Sequence, residues 1–472
     1  MTIAFQVEED GDTPFYLRLA AAIERAILDG ALAPGDKLPP QRDIAFDLGV
    51  TVGTIGRAYQ VARERGLTTG EVGRGTYVRD PKASFLERHE RPRAPESLRT
   101  RHTLDSTPLL RLDSTSAPDI GQAAEIGQTI ADVVHDEPHR IIDYVRGVPH
   151  AWREAGAEWL SCGGYRPSPD DVVPTVGADA AIQAIIGMTT HPGDRIVLED
   201  LSYSAVARAS TMIGRLPLTV GMDEEGMLPD ELDRCAARQH PKLLFLMPAA
   251  NNPTGRRLSP ERREAIVAVA RRHNLTIVED HVYGALTGDE AAPIAALAPE
   301  RTFMVGGLSK AVAAGVRAGW IATPRGQAVR ANVAHSMLSG SRSFLNMETA
   351  ARLVLSGDAD AIRVRIIAEL KARGAVFDQV FGTTSEGPAA VMPFRWIELP
   401  QPWTSPAFQI AARNNGILID GEDEYRSVRT DRMTHGVRIG LSSVPGRDEL
   451  GSALQILKGL YDSGSVSFDS VA

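Results

Sequence analysis

Cysteine, aromatic residues and long apolar runs are scarce in this sequence of 472 residues. Its two cysteines, Cys162 and Cys235, are too few for a disulfide framework, so we expect a reducing, cytoplasmic location. No apolar run approaches the roughly 20 residues that a membrane-spanning helix needs. The first residues, MTIAFQVEEDGD, turn acidic at once and do not resemble a secretory signal.

A general excess of positive charge is also missing. The formal net charge is −9, which argues against a protein that binds polyanions over its whole surface but not against a local nucleic-acid face. Residues 37–79 contain seven lysines and arginines and four aspartates and glutamates, whereas residues 1–80 contain nine against twelve. Charge by itself therefore does not decide whether the chain binds DNA.

The chain is long enough for two or three domains, and its first 80 residues have the pattern of a separate unit. TPFYLRLAAAIERAILDGAL has apolar residues at helical spacing, and LPPQRDIAFDLGVTVGTIGRAYQVARERG gives two further helical patterns broken at Gly49. LTTGEVGRGTYV then predicts a hairpin. These patterns indicate a winged helix–turn–helix over residues 1–80, followed by a linker rich in Pro, Arg and Glu over residues 81–111.

Residues 112–472 have a different texture, in which short apolar runs alternate with helical stretches. Runs such as DRIVLED, KLLFLMP, LTIVED and RTFMVGG are apolar throughout, which is typical of strands covered on both faces. We therefore predict an α/β domain with a mostly parallel sheet. Functional residues in such sheets collect where strands end.

Polar residues follow several of these predicted strands. MPAANNPTG comes after LLFL, EDHVYG after LTIV, GGLSK after TFMV, and LEDLSY ends another strand. VGADAAIQAII has the pattern of a tight turn into a helix, whose free N–H groups at Ala178 and Asp179 suit an anion. The strand ends thus present N–H donors, an aromatic ring, an amide, a carboxylate with a phenol, and an amine.

In this order and spacing, NNPTG, D-x-x-Y, S-K and an arginine seven residues after the lysine resemble the fold-type I aminotransferases, the pyridoxal-phosphate (PLP) enzymes of the aspartate aminotransferase class. GVRIGLSS, near the C-terminus, looks like the family's substrate-arginine segment. The resemblance implies an α/β fold, the PLP-dependent transferase fold of type I, with a mostly parallel central sheet and a small C-terminal α+β part. PLP is the implied cofactor, and no metal site is predicted.

The resemblance also assigns roles to individual residues. Lys310 would form an imine with the cofactor aldehyde, and Asp280 would keep the pyridine nitrogen protonated. Asn252 and Tyr283 would hydrogen-bond the phenolic oxygen, Tyr203 would stack on the ring, and Arg438 would take the carboxylate of an amino-acid ligand. The implied phosphate ligands are Arg317, Ser309, the N–H groups of Ala178 and Asp179, and Tyr144, the last from the other subunit of a dimer.

Taken singly, these residues have structural interpretations as well. Asp280 also fits a helix cap, Tyr203 a core aromatic, Asn252 a residue that only shapes its turn, and Arg438 a surface arginine on an edge strand. One departure from the family is Gly307, at a place where the family commonly has a Ser or Thr phosphate ligand. Weaker cofactor binding or a substitute backbone N–H are the two consequences we consider.

The N-terminal unit resembles the winged helix–turn–helix of GntR-type regulators, from GALAPGDKLPPQRDIAFDLGV to GEVGRGTYV. Together the two halves look like the MocR/GabR subfamily, which joins such a domain to an aminotransferase-like domain. The pattern places these candidate DNA contacts at the second helix, the recognition helix and the wing: Arg42, Thr51, Thr54, Arg57, Arg74, Gly75 and Thr76. Val52 and Gly56 leave fewer side chains for base readout, so DNA shape is an alternative.

Two functions remain open at this point. The first is a homodimeric transcription regulator that binds paired half-sites on DNA and senses PLP or an amino-acid-like effector through external aldimine formation. The second is a working PLP-dependent aminotransferase with an accessory N-terminal module. A sensor and an enzyme need the same residues, so residual transamination is compatible with both. The segments DSTSAPD and SMLSGSRSF, expected at the side-chain pocket, give no charge signature that names the effector.

Overall fold

The computed structural model of the chain describes residues 14–33, 35–65, 67–71, 75–78, 109–288, 290–428 and 434–464. The chain divides into two units, Met1–Leu104 and Asp105–Ala472. Arg74 and residues 81–108 of the predicted linker lie outside the described residues. Among the described helices, none combines the length and apolar character that a membrane crossing requires.

The first unit contains three helices and a hairpin: α1 (Phe15–Leu28), α2 (Gln41–Asp47), α3 (Val52–Glu64), β1 (Thr68–Glu71) and β2 (Gly75–Val78). Gly49, with φ +63°, makes the turn between α2 and α3 in a conformation that favours glycine. Thr51 caps α3, because its hydroxyl accepts the N–H of Thr54. The two strands are antiparallel. The predicted helix–turn–helix and hairpin are thereby confirmed.

The core of this unit comes from one face of each helix. Ile23, Ile44, Ile55 and Tyr59 are buried and pack in one cluster. The Tyr59 hydroxyl donates to the carbonyl of Pro39 at 2.7 Å, so this buried phenol has a partner in the segment that leads into α2. On α3, Val52, Gly53 and Arg57 are exposed.

The second unit begins with β3 (Leu110–Arg111) and is built on a sheet surrounded by helices. The strands that follow are β4 (Val172–Thr175), β5 (Arg195–Glu199), β6 (Leu216–Val220), β7 (Met222–Asp223), β8 (Gly226–Met227), β9 (Leu243–Leu246), β10 (Thr276–Asp280), β11 (Thr302–Gly307), β12 (Gly319–Ala322), β13 (Phe394–Glu398), β14 (Ile417–Leu418), β15 (Asp420–Gly421) and β16 (Gly436–Gly440). The helices are α4 (Ala123–Asp136), α5 (Pro138–Ile141), α6 (His150–Trp159), α7 (Ala178–Thr189), α8 (Ala205–Met212), α9 (Pro229–Gln239), α10 (Pro260–Arg272), α11 (Gly284–Thr287), α12 (Ile294–Leu297), α13 (Ala328–Ser339), α14 (Phe344–Leu355), α15 (Asp358–Phe381), α16 (Ser405–Asn414) and α17 (Arg447–Ser463).

The central sheet has the order β4-β12-β11-β10-β9-β5-β6. Neighbouring strands are parallel from β11 through β10, β9 and β5 to β6, and β12 is antiparallel to both of its neighbours. Every residue of β9 and β11 is buried, which is why these strands read as continuous apolar runs. Since β5, β9, β10 and β11 run in the same direction, the segments that follow them meet at one edge of the sheet.

A second, smaller sheet lies in the C-terminal part, in the order β13-β16-β15. Both pairings are antiparallel, so β16 is the middle strand and Arg438 is not on an edge. Phe377, Phe408, Ile439 and Leu454 belong to the separate hydrophobic cluster of this part. The predicted fold class, a mostly parallel sheet with a small C-terminal α+β part, is confirmed.

Candidate functional site

Lys310 lies just beyond β11 and is half-buried. Its Nζ donates to the hydroxyl of Thr115 at 3.1 Å and lies 5.6 Å from the centre of the Tyr283 ring. The Tyr283 hydroxyl is 2.9 Å from the same Thr115 oxygen. The ammonium therefore sits in a polar site made from the ends of two adjacent strands and the segment after β3.

Asp280, the last residue of β10, is 4% exposed. Its Oδ1 accepts the N–H of Val282 at 3.0 Å. Burial raises the pKa of this carboxyl to about 7; Asp179 adds to the rise, and the Val282 N–H and Lys310 oppose it. The helix-cap interpretation fails, because the residue that precedes α11 is Tyr283. The site thus holds a buried carboxyl that a cationic partner would ionise.

Tyr203 and α7 form the next part of the site. The Tyr203 hydroxyl donates to Asp179 Oδ1 at 3.0 Å, and burial raises the pKa of this phenol, with Asp179 and Asp280 adding to the rise. Tyr203 is half-buried and its hydroxyl is engaged, so it is not simply a core aromatic. Asp179 lies in the first turn of α7, where backbone N–H groups lack partners within the helix.

Arg317 stands beside that helix N-terminus. A Cβ built on Gly177, the residue before α7, would be 3.8 Å from both Cζ and Nη2 of Arg317. Arg317 has φ +53°, an uncommon left-handed conformation for a residue with a side chain, and such strain collects at functional sites. The guanidinium is exposed, so an arginine and the N-terminus of α7 together offer an accessible anion site.

Close packing explains why a glycine stands at position 307, which the sequence did not reveal. A Cβ at this position would lie 2.9 Å from the carbonyl oxygen of Ala318 and 3.4 Å from Cα of Gly319. Because the obstacle is the backbone of the adjacent strand, a Ser or Thr does not fit here without a shift of the sheet. The neighbouring Ser309 is half-buried, and its carbonyl accepts the N–H of Ala117 at 3.3 Å.

Arg438 is 1% exposed, and both hydrogens of its Nη2 are used in hydrogen bonds within the chain. Its Nη2 donates to Asp420 Oδ2 at 2.6 Å and to the carbonyl of Asp113 at 2.7 Å, and its Nη1 donates to Asn252 Oδ1 at 2.9 Å. The Tyr425 hydroxyl also donates to Asp420 Oδ2, at 2.5 Å. The interpretation of Arg438 as a surface arginine on an edge strand is wrong, because the side chain is buried and β16 is the middle strand of its sheet.

The two asparagines of the NNPTG turn have different hydrogen-bond partners. Asn251 shapes the turn, since its amide donates to Glu199 Oε2 at 2.7 Å and its carbonyl oxygen accepts the N–H of Thr254 at 3.1 Å. Burial raises the pKa of the Glu199 carboxyl to about 7, against the hydrogen bond from Asn251. Asn252 instead faces Arg438. Its side chain therefore belongs to the site and not only to the turn.

Sequence reasoning missed three residues of this network: Thr115, Asp420 and Tyr425. Thr115 lies in the DSTSAPD segment, but a threonine hydroxyl is uncharged, so the sequence pattern did not mark it as a site residue. Asp420 and Tyr425 follow the short strand β14, which has too few residues to show a pattern. Tyr144 is 81% exposed, on the surface of the subunit; its suggested contact with the phosphate of another subunit stays a prediction.

The candidate DNA contacts lie on the described part of the first unit, apart from Arg74. Arg42 and Arg57 are exposed on α2 and α3, and Gly75 at the start of β2 is exposed with φ +124°. The Thr51 hydroxyl is already engaged, because it accepts the N–H of Thr54 at 3.3 Å and lies 2.9 Å from the Thr54 hydroxyl. Thr76 is half-buried, and its carbonyl accepts the N–H of Leu38.

The residues of the second unit fit a PLP group by their chemistry. A half-buried amine, a buried carboxyl, an amide with a phenol, and an anion site at a helix N-terminus are the partners that an aldehyde, a pyridine nitrogen, a phenolic oxygen and a phosphate require.

Comparison with known proteins identifies the family of each unit. The model of aminotransferase class I and II matches residues 117–374, more than half of the chain. The chain belongs to the class I and II aminotransferase family. The model of bacterial regulatory proteins of the gntR family matches residues 15–78. A GntR-type helix–turn–helix domain thus precedes an aminotransferase domain, a combination consistent with a MocR-type regulator.

Two relatives that match most of this chain carry regulator names. The HTH-type transcriptional regulator YdeF of Bacillus subtilis (strain 168) is 27% identical over 96% of this chain and 96% of its own length. The HTH-type pyridoxine biosynthesis transcriptional regulator PdxR of Corynebacterium glutamicum is 28% identical over 70% of each chain. Among solved structures, the kynurenine aminotransferase of Pyrococcus horikoshii matches 80% of this chain and 99% of its own with a TM-score of 0.69 at 22% identity, which shows the shared fold.

Proposed function

We propose that this chain is a PLP-dependent, DNA-binding transcription regulator that senses PLP, an amino-acid-like effector, or both. The observation that carries the proposal is the hydrogen-bonded set of Lys310, Thr115 and Tyr283, with the buried Asp280 carboxyl within reach of the Lys310 charge, in an aminotransferase domain that is fused to a GntR-type helix–turn–helix domain. The name of the relative PdxR supports a link to vitamin B6. A fused DNA-binding domain has no evident use in an enzyme.

In this proposal the cofactor supplies an aldehyde that captures primary amines. Lys310 provides the amine that holds it, Asp280 gives a carboxylate to the pyridine nitrogen, and Asn252 and Tyr283 hydrogen-bond the phenolic oxygen. Tyr203 covers one face of the ring. Arg317, Ser309 and the N–H groups of Ala178 and Asp179 hold the phosphate, with Tyr144 as the candidate from a second subunit.

The regulatory step is a difference in affinity between two conformations. A ligand of the second unit changes DNA binding only if it binds one conformation more tightly than the other. We propose a homodimer that binds paired half-sites, with Arg42, Thr51, Thr54, Arg57, Arg74, Gly75 and Thr76 at or near the DNA.

The test uses the full-length protein and its Lys310→Ala variant. After incubation with PLP and removal of the unbound cofactor, the wild type is expected to show visible absorption and to keep the cofactor covalently after borohydride reduction, whereas the variant shows neither. The variant keeps measurable affinity for the DNA upstream of its own gene but loses the response of that affinity to PLP. A wild type that stays colourless after incubation with PLP would overturn the proposal.

The same residues support a second candidate, a working aminotransferase. Lys310, Asp280 and Tyr283 are the groups that transamination also needs. Steady turnover of an amino acid with a keto acid, in the absence of sequence-selective DNA binding, would favour the enzyme. Selective DNA binding with at most slow turnover would favour the regulator.

A further inference from the structure

The pairing of Arg438 restricts what the site can bind. A guanidinium offers a carboxylate two edges with parallel N–H groups, one made by Nη1 and Nη2 and the other by Nε and Nη2. Nη2 belongs to both edges, and here its two hydrogens go to Asp420 Oδ2 and to the carbonyl of Asp113. Arg438 therefore has no complete edge left for a ligand carboxylate.

The positive charge of Arg438 is also balanced within the chain, by the carboxylate of Asp420. The ion pair with Asp420 is buried, with side chains 1% and 9% exposed. The Tyr425 hydroxyl donates to the same carboxylate oxygen, and the Phe394 and Tyr425 rings lie 5.4 and 5.1 Å from the guanidinium carbon. Separating a buried, hydrogen-bonded pair leaves an uncompensated charge, which is costly. A second carboxylate would have to displace Asp420 or lie beside it.

We infer that Asp420 is a specificity residue that occupies Arg438 from within the chain and disfavours ligands carrying an α-carboxylate. The inference rests on the proposed function and narrows its effector. The site takes PLP itself, or an amine whose α-substituent is uncharged, in preference to a free amino acid. An internal competitor of this kind excludes a ligand class by repulsion as well as by the loss of donors.

The experiment titrates the PLP-loaded, full-length protein with L-alanine and with L-alaninamide and follows the visible absorption of the bound cofactor. The two ligands differ in one group, a carboxylate against a neutral amide. Dissociation constants are expressed for the unprotonated amine, because the carboxylate and the amide give the amine different pKa values. The wild type is expected to bind L-alaninamide at least as tightly as L-alanine.

The Asp420→Asn variant keeps the shape of the side chain and removes its charge. It is expected to bind L-alanine at least about tenfold more tightly than the wild type, because the Arg438 charge is no longer balanced within the chain and the repulsion of a carboxylate is gone, with a change under about twofold for L-alaninamide. The matched control is Asp423→Asn, which removes the same charge from an exposed position three residues away and is expected to match the wild type.

The outcomes separate this inference from the proposed function. No visible absorption in the wild type contradicts PLP binding itself. Absorption that responds to both amines, with equal L-alanine affinity in the wild type and Asp420→Asn, overturns only the role of Asp420. The wild-type ratio needs no variant: binding of L-alanine more than about tenfold tighter than L-alaninamide overturns the inference even if Asp420→Asn fails to fold.

Discussion

The Asp280 carboxyl gives a prediction that links cofactor binding to stability. In the PLP-free protein, burial raises the pKa of Asp280 to about 7, whereas an unfolded aspartate ionises near its ordinary value. Above that ordinary value the unfolded chain has lost this proton while the folded chain still holds it. The free energy of unfolding therefore falls as pH rises, until the folded carboxyl also ionises.

The magnitude follows from the width of this pH window. Each pH unit in it costs about 1.4 kcal/mol until the folded carboxyl begins to ionise, so between about pH 5 and pH 8 Asp280 alone lowers the free energy of unfolding by about 3 kcal/mol. Asp280→Asn removes the titration and keeps an oxygen for the N–H of Val282. At about pH 8 the PLP-free variant is expected to be more stable than the PLP-free wild type, and near pH 5 this advantage shrinks by about 3 kcal/mol.

Urea unfolding followed by tryptophan fluorescence measures this effect. The tryptophans all lie in the second unit, at Trp152, Trp159, Trp320, Trp396 and Trp403, so the signal reports that unit alone. Adding PLP at about pH 8 is expected to stabilise the wild type more than the variant, because only the wild type gives the pyridine nitrogen a carboxylate. Asp423→Asn serves as the exposed control. An identical pH dependence in the wild type and Asp280→Asn would refute the reasoning.

Three further predictions concern other positions. Arg42→Ala, at an exposed residue of α2, is expected to weaken DNA binding and to reduce its salt dependence in gel-shift titrations, with an unchanged cofactor spectrum; a change in both properties would contradict two separable units. Thr51→Ala removes the cap of α3 and is expected to cost the first unit about 1 kcal/mol in chemical denaturation, and an unaltered midpoint would show that the cap is dispensable. Gly307→Ser drives a Cβ toward the carbonyl of Ala318 and is expected to destabilise the second unit by about 1–3 kcal/mol without tighter PLP binding; a stable variant with higher PLP affinity would contradict the packing argument.

Several residues of the site could be predicted from the sequence, because each parallel strand is an apolar run followed by polar residues at the same edge of the sheet. Each buried strand appears in the sequence as an apolar run, and the polar residues at its carboxyl end lie at the same edge of the sheet as those of the other parallel strands. Asn252, Asp280 and Lys310 could therefore be named from their positions at or just beyond the ends of β9, β10 and β11. The residues that complete the network could not be named this way, since Thr115 comes from a segment far away in the chain.

The sequence by itself determined the two kinds of unit and the polar residues that end the buried strands, because hydrophobic periodicity and strand-end motifs are local properties. Only the tertiary structure decided which of those residues are already paired. Gly307 is required by a backbone carbonyl of the neighbouring strand, and Arg438 meets Asp420 across adjacent antiparallel strands. Contacts of this kind depend on strand register and burial, and these arise only when distant segments pack together.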